Sequence, residues 1–131
     1  MNENKWHVLY YETTSGKSPV FEMIEKRAVR EKAKILNWIS LLEQHGPNLT
    51  RPYADLLKDG IHELRIKLSG DQIRVLYFFC YRNYIILTNS FTKNTDKVPE
   101  EEIKKAQSCR LDFLGRYTEK KLQEILENEN I

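Results

Sequence analysis

The chain has 131 residues, 40% of them hydrophobic and 31% charged, with a net charge of +2. That balance fits one globular domain long enough to bury a core, and excludes a disordered tail. No apolar run approaches the roughly 20 residues of a membrane-crossing helix, and the opening MNENKWHVLYYE lacks the basic-then-apolar build of a secretion signal, so a cytoplasmic protein is expected.

Residues 5–12 (KWHVLYYE) are β-branched and aromatic and predict a first strand, followed by a turn at 13–17 (TTSGK). Ser18-Pro19 places an N-cap residue type before a proline at the first helical position, starting a helix to about Arg27. A second helix is expected from Val29 to about Gln44, with Ala33, Leu36, Ile39 and Leu42 as its apolar stripe. Gly46-Pro47 ends it. Residues 48–59 read as an irregular loop closing on the turn dipeptide Asp59-Gly60.

Three β-type runs then follow, with turns at Ser69-Gly70-Asp71 and Arg82-Asn83. Strand alternation puts Glu63, Arg65 and Lys67 on one face and His62, Leu64, Ile66 and Leu68 on the other. Arg74 stands between Ile73 and Val75, just ahead of LYFF. An arginine in so apolar a strand must either meet a carboxylate or line a wet surface that wants positive charge.

A polar run, TKNTDK, leads to Val98-Pro99, and Pro99 opens a helix whose first turn, Glu100-Glu101-Glu102, favours the positive end of the helix dipole. Ile103, Ala106, Arg110, Phe113 and Tyr117 step along it, Gly115 marks a bend or end, and a last short helix is expected over Leu122–Leu126. The order β-α-α-β-β-β-α predicts an α+β fold: a small antiparallel sheet with an N-terminal helical hairpin and a C-terminal helix.

Charge is distributed unevenly. Residues 1–50 carry seven cations against six anions, 51–97 eight against five, and 98–131 six against eight. The positive excess lies on the central strands, a localised patch suited to an anionic partner. Cys80 and Cys109 lie far apart with no CxxC and no histidine pair nearby, so neither a zinc site nor a disulfide is expected. No metal or other cofactor is expected.

Taken together, GIHELRIKL, QIRVLYFF and ILTNSFTKNTDKVPEEEIKKA, with YYETTSGKSPVFEMI near the N-terminus, resemble the RelE/HigB group of bacterial toxins, in its phage-derived branch. The likeness runs from Trp6 to about Tyr117. It implies a toxin domain over residues 1–117 and leaves 118–131 as a C-terminal helical extension. It further implies a microbial-RNase-like sheet, an endoribonuclease that cuts mRNA on the ribosome, and a cognate antitoxin, in this branch often a helix-turn-helix, HigA-like protein.

By that resemblance Arg65 and Lys67 fall on the first two basic sheet residues. Arg74 falls on the arginine that holds the scissile phosphate, and Phe91 and Lys93 on an FxKK signature whose second lysine is Asn94 here. The aromatic residue that some members stack on a base has no counterpart in residues 98–107. RNA cleavage by the 2′-hydroxyl needs a proton acceptor, a proton donor and stabilisation of phosphoryl charge. His7, His45 and His62 are scattered over different elements, so cations must carry more of the load by electrostatic stabilisation and positioning. The catalytic candidates are Arg65, Lys67, Arg74 and Lys93, with Lys67 or Lys93 the better general base because arginine stays charged. Phe91, Asn94, Lys97 and His62 are the substrate-binding candidates.

Residue type alone allows plainer roles. Arg65 and Lys67 also suit an ordinary solvated sheet face, Arg74 a structural ion pair, and Trp6, Trp38 and Phe113 the core. At the level of function the alternative is a non-catalytic binder on the same scaffold, like the ParE-type toxins that poison DNA gyrase by protein contact.

Overall fold

The computed structural model describes residues 6–94 and 97–129. Lys5 at the start of the expected first strand, Thr95 and Asp96 of the polar run, and the last two residues of the extension lie outside the described residues. In chain order the elements are β1 (His7–Tyr10), α1 (Pro19–Glu25), α2 (Val29–His45), a short 3-10 turn (Gly46–Asn48), β2 (Ala54–Lys58), β3 (Ile61–Lys67), β4 (Gln72–Cys80), β5 (Tyr84–Thr92), α3 (Glu100–Arg116) and α4 (Glu119–Glu129).

The strands form one five-stranded sheet in the order β1-β5-β4-β3-β2. β2 to β5 make an antiparallel meander, while β1 joins the far edge parallel to β5. The fold is α+β as expected, but the sheet is mixed and not the purely antiparallel one expected, because β1 runs parallel to β5. One strand is added to the expected order. Residues 48–59 are not wholly irregular: Ala54–Lys58 forms an edge strand, paired to β3 through a tight turn in which Asp59 and Gly60 both have positive φ. ADLLK carries no β-branched residue, and a bulge interrupts its pairing between Leu56 and Lys58, so its strand character comes from the neighbouring ladder more than from propensity. The C-terminal extension also forms a longer helix than expected.

Both faces of the sheet are covered. Val20 and Ile24 of α1 and Ile35, Ile39 and Leu42 of α2 pack on Leu64, Ile66, Ile73, Val75, Tyr77, Ile85 and Leu87. Ala106 and Phe113 of α3, with Leu122 of α4, pack on Ile61, Leu76, Phe78, Tyr84 and Ile86. This explains why β4 reads as a continuous apolar run, being central in the sheet and buried on both sides. The stripe of α2 is turned from the expected one, because Ile35 faces the sheet while Ala33 and Leu36 are exposed.

Local signals act in particular ways. Ser18 is the extended residue before α1, but its hydroxyl donates to the Tyr11 carbonyl and does not cap the helix. Gly46 ends α2 at φ +52°, and a Cβ there would lie 2.3 Å from Nε1 of Trp6, so only glycine fits. α3 ends one residue after Gly115, at Arg116. α4 folds back on the sheet: Leu122 is buried in the second core, and the Tyr81 hydroxyl donates to the Tyr117 carbonyl. No described helix is long and apolar enough to cross a membrane.

Candidate functional site

The β3–β4–β5 ladder sorts the basic residues by register. Glu63, Leu76 and Asn89 form one row across the sheet, and Arg65, Arg74 and Phe91 the next. Lys67 lies opposite Gln72, whose carbonyl accepts from the main-chain N–H of Lys93 at 2.7 Å. Alternation puts these residues on the α3 side of the sheet. α3 meets the first row, where Asn89 Nδ2 donates to the carbonyl and Oε1 of Glu102 at 3.2 and 3.1 Å. Asn89 is itself held by the hydroxyl of buried Thr88, which donates to its Oδ1 at 2.6 Å.

Arg74 is 2% exposed. Its Nε lies 3.1 Å from Oε1 of Glu63, while Nε of Arg65 lies 4.0 Å from Oε2 of the same carboxylate. Nε of Arg74 and Oε1 of Glu63 make no aligned hydrogen bond, so the contact is held by charge. The guanidinium also donates to Gln72 Oε1 at 3.3 Å and to the Ile73 carbonyl at 3.4 Å. Burial lowers the Arg74 pKa most, Glu63 opposes that shift, and Arg65 adds to it. Arginine keeps its proton under such a load.

The next carboxylate on this edge, Asp55, faces Glu63 across β2–β3 but is taken by Arg51, which donates to its Oδ2 from Nη2 at 2.8 Å and from Nε at 3.0 Å. Those bonds hold Asp55 below the usual carboxylate range. Arg51, Arg65 and Arg74 thus share two acids, and exposed Lys67 adds a further positive charge at the end of β3. Lys67 is exposed and the side chain of Arg65 is 29% exposed, so both are reachable from solvent.

Around the free end of β3 runs a cleft of about 370 Å³ lined by Trp38, Pro52, Arg65, Lys67, Gln72 and Arg74. Trp38 and Pro52 belong to this wall although sequence reasoning places Trp38 in the core and singles out neither for function. Their placement follows from tertiary packing: Trp38 borders the buried stripe of α2, and its ring leans on Tyr53 with centroids 5.3 Å apart.

The other candidates divide. Phe91 is half-buried in the Arg65–Arg74 row, Lys93 is half-buried at the end of β5, and Asn94 is exposed beside it. Lys97 is exposed after the two residues that are not described. His62 lies on the opposite face from Arg65 and Arg74. Its ring stacks on Tyr77 at 5.2 Å and meets the edge of Phe79 at 5.0 Å, and burial lowers its pKa. It is packed among aromatic rings and does not meet the cations. Among the described residues no group of acids, histidines and cysteines is arranged to hold a metal ion. Burial pushes the thiols of Cys80 and Cys109 up to about 11, so neither suits a nucleophile.

What this surface can do follows from its charge: hold an anionic group against Arg65 and Lys67, with the Arg74 charge behind them. A family model described as phage-derived protein Gp49-like (DUF891) matches residues 22–110, more than half of the chain. The match spans α1 to the middle of α3 and includes every cationic residue of the site. Comparison with the curated proteins finds no match.

Proposed function

The chain belongs to the phage-derived Gp49-like family, within the RelE/ParE-like toxin superfamily, and from that premise we propose that it is a HigB-like toxin that cleaves mRNA on the ribosome. The observation that carries this reading is the surplus of positive charge at Arg65, Arg74 and Lys67, where Glu63 serves two arginines.

In this reading an RNA phosphate takes the place that a second carboxylate would otherwise fill. Arg65 and Lys67 touch the phosphoryl oxygens, and the buried Arg74 strengthens the field from behind in a site of lowered dielectric. Lys93, at the end of β5, stands on the far side of Gln72 from Lys67, and either amine is the candidate proton carrier. The attacking 2′-hydroxyl comes from the RNA, so no nucleophile is needed from the chain. A site this sparse relies on the ribosome to hold the message in line for attack. A cognate antitoxin, of the helix-turn-helix type common in this branch, neutralises the toxin.

One observation favours the gyrase-binding alternative: Arg74 is paired and nearly inaccessible, as a purely structural arginine would be. Induction of Arg65→Ala/Lys67→Ala separates the two. The nuclease reading expects growth arrest to vanish while the protein stays folded. Persistent arrest with loss of DNA supercoiling supports the binder.

A further inference from the structure

The cleft beside the cations has a wall that phosphate binding does not require. We infer that the space between Trp38, Pro52 and the Arg65–Lys67 end of β3 is a seat for one unpaired base of single-stranded nucleic acid. This inference rests on the proposed RNA reading.

The geometry of the edge creates the seat. β2 pairs with β3 only as far as Ala54↔Leu64, after which the Arg65 N–H donates to the Tyr53 carbonyl at 2.8 Å. That bond pins the Pro52–Tyr53 segment beside β3 and leaves the strand end open toward Trp38. Trp38 is half-buried, and neighbouring Tyr53 is 42% exposed. A large indole is therefore presented at the rim of a cleft of about 370 Å³, which lies in the range of small-molecule sites.

The lining fixes the ligand class. Three of its six residues are cations and none is acidic. An aromatic plane beside arginine and lysine suits a flat ring joined to a phosphate, since every base has a face to stack and the backbone supplies the charge. Gln72 adds an amide that both donates and accepts. An acidic peptide would satisfy the cations but has no use for the indole wall.

The test measures binding of two labelled probes by fluorescence anisotropy: a short 2′-deoxy oligoadenylate and an abasic backbone of the same length. The wild-type chain is expected to prefer the base-bearing probe by about tenfold, one stacked base. Trp38→Leu is expected to bind both probes alike, Trp38→Phe to keep most of the preference, and Arg65→Ala to weaken both equally. Each variant supplies its own ratio, so a partly unfolded sample lowers both affinities without imitating the result. An undiminished preference in Trp38→Leu overturns the seat and leaves the RNA reading standing. Equal binding of both probes by the wild type, with displacement by polyglutamate, replaces the base with an acidic segment. If the wild type binds neither probe, the seat falls, while the RNA reading, in which the ribosome holds the message, is decided separately by mapping mRNA 5′ ends.

Discussion

Arg65 and Arg74 stand opposite each other across the β3–β4 ladder and share the carboxylate of Glu63, 4.0 Å from one Nε and 3.1 Å from the other. The two arginines differ in accessibility, because Arg74 has a side chain 3% exposed while that of Arg65 is 29% exposed. One is fixed inside the fold and the other is presented to solvent. Stability and function can therefore be separated by mutation.

Removing Glu63 strands a buried guanidinium. Glu63→Gln is expected to cost about 3–5 kcal/mol of stability, as does breaking other buried ion pairs. Replacing both partners, in Glu63→Leu/Arg74→Met, is expected to recover most of that loss. Arg65→Ala, at a partly exposed pair, should cost less than about 1 kcal/mol. Urea unfolding of the three variants checks this. A Glu63→Gln chain as stable as the wild type would show that the pair does not hold the site together. Loss of toxicity in Arg74→Ala alone is consequently ambiguous, and Arg65→Ala is the cleaner probe.

His62 gives the stability a pH dependence. Burial against Tyr77 and Phe79 lowers its folded pKa, whereas the unfolded chain has the ordinary value of about 6.5. The unfolded state then binds more protons in the window below about 6.5, so stability is fully present above that value and falls as the pH drops toward the folded pKa. Asp55 and Asp112, whose pKa values are lowered, add their own losses only nearer pH 4. Melting curves from neutral to mildly acidic pH should show the first loss in the wild type and not in His62→Phe. A flat profile in the wild type would contradict the buried placement of this ring.

The C-terminal helix is tested by one side chain. Leu122 is 4% exposed against the core that holds Phe113 and Tyr84. Leu122→Ala is expected to cost about 2–5 kcal/mol, measured by urea unfolding, whereas Leu111→Ala, at a position 77% exposed, should stay within about 0.5 kcal/mol. Equal effects would mean that α4 does not pack on the sheet in solution.

Much of this is legible in residue order. Alternation along IHELRIKL is enough to separate Arg65 from His62, and the apolar run after Arg74 marks a strand covered on both faces. Gly46-Pro47 and Asp59-Gly60 announce real breaks. The edge strand at Ala54–Lys58 is hidden because its residues have little strand propensity and pair only through the neighbouring ladder. The partner of Arg74 requires the register of two strands, which periodicity does not give. Trp38 reads as core in a helix pattern, and only tertiary packing, with the Pro52–Tyr53 segment held beside β3, places it in one cleft with the cations.

The central claim is that the shared, under-neutralised arginines grip an RNA phosphate while it is cut. Mapping the 5′ ends of cellular mRNA shortly after induction tests it most directly. The wild-type chain is expected to generate new ends inside translated sequence, and folded Arg65→Ala/Lys67→Ala is expected to generate none. Growth arrest by the wild type with no new ends, or the same ends from the double variant, would contradict it.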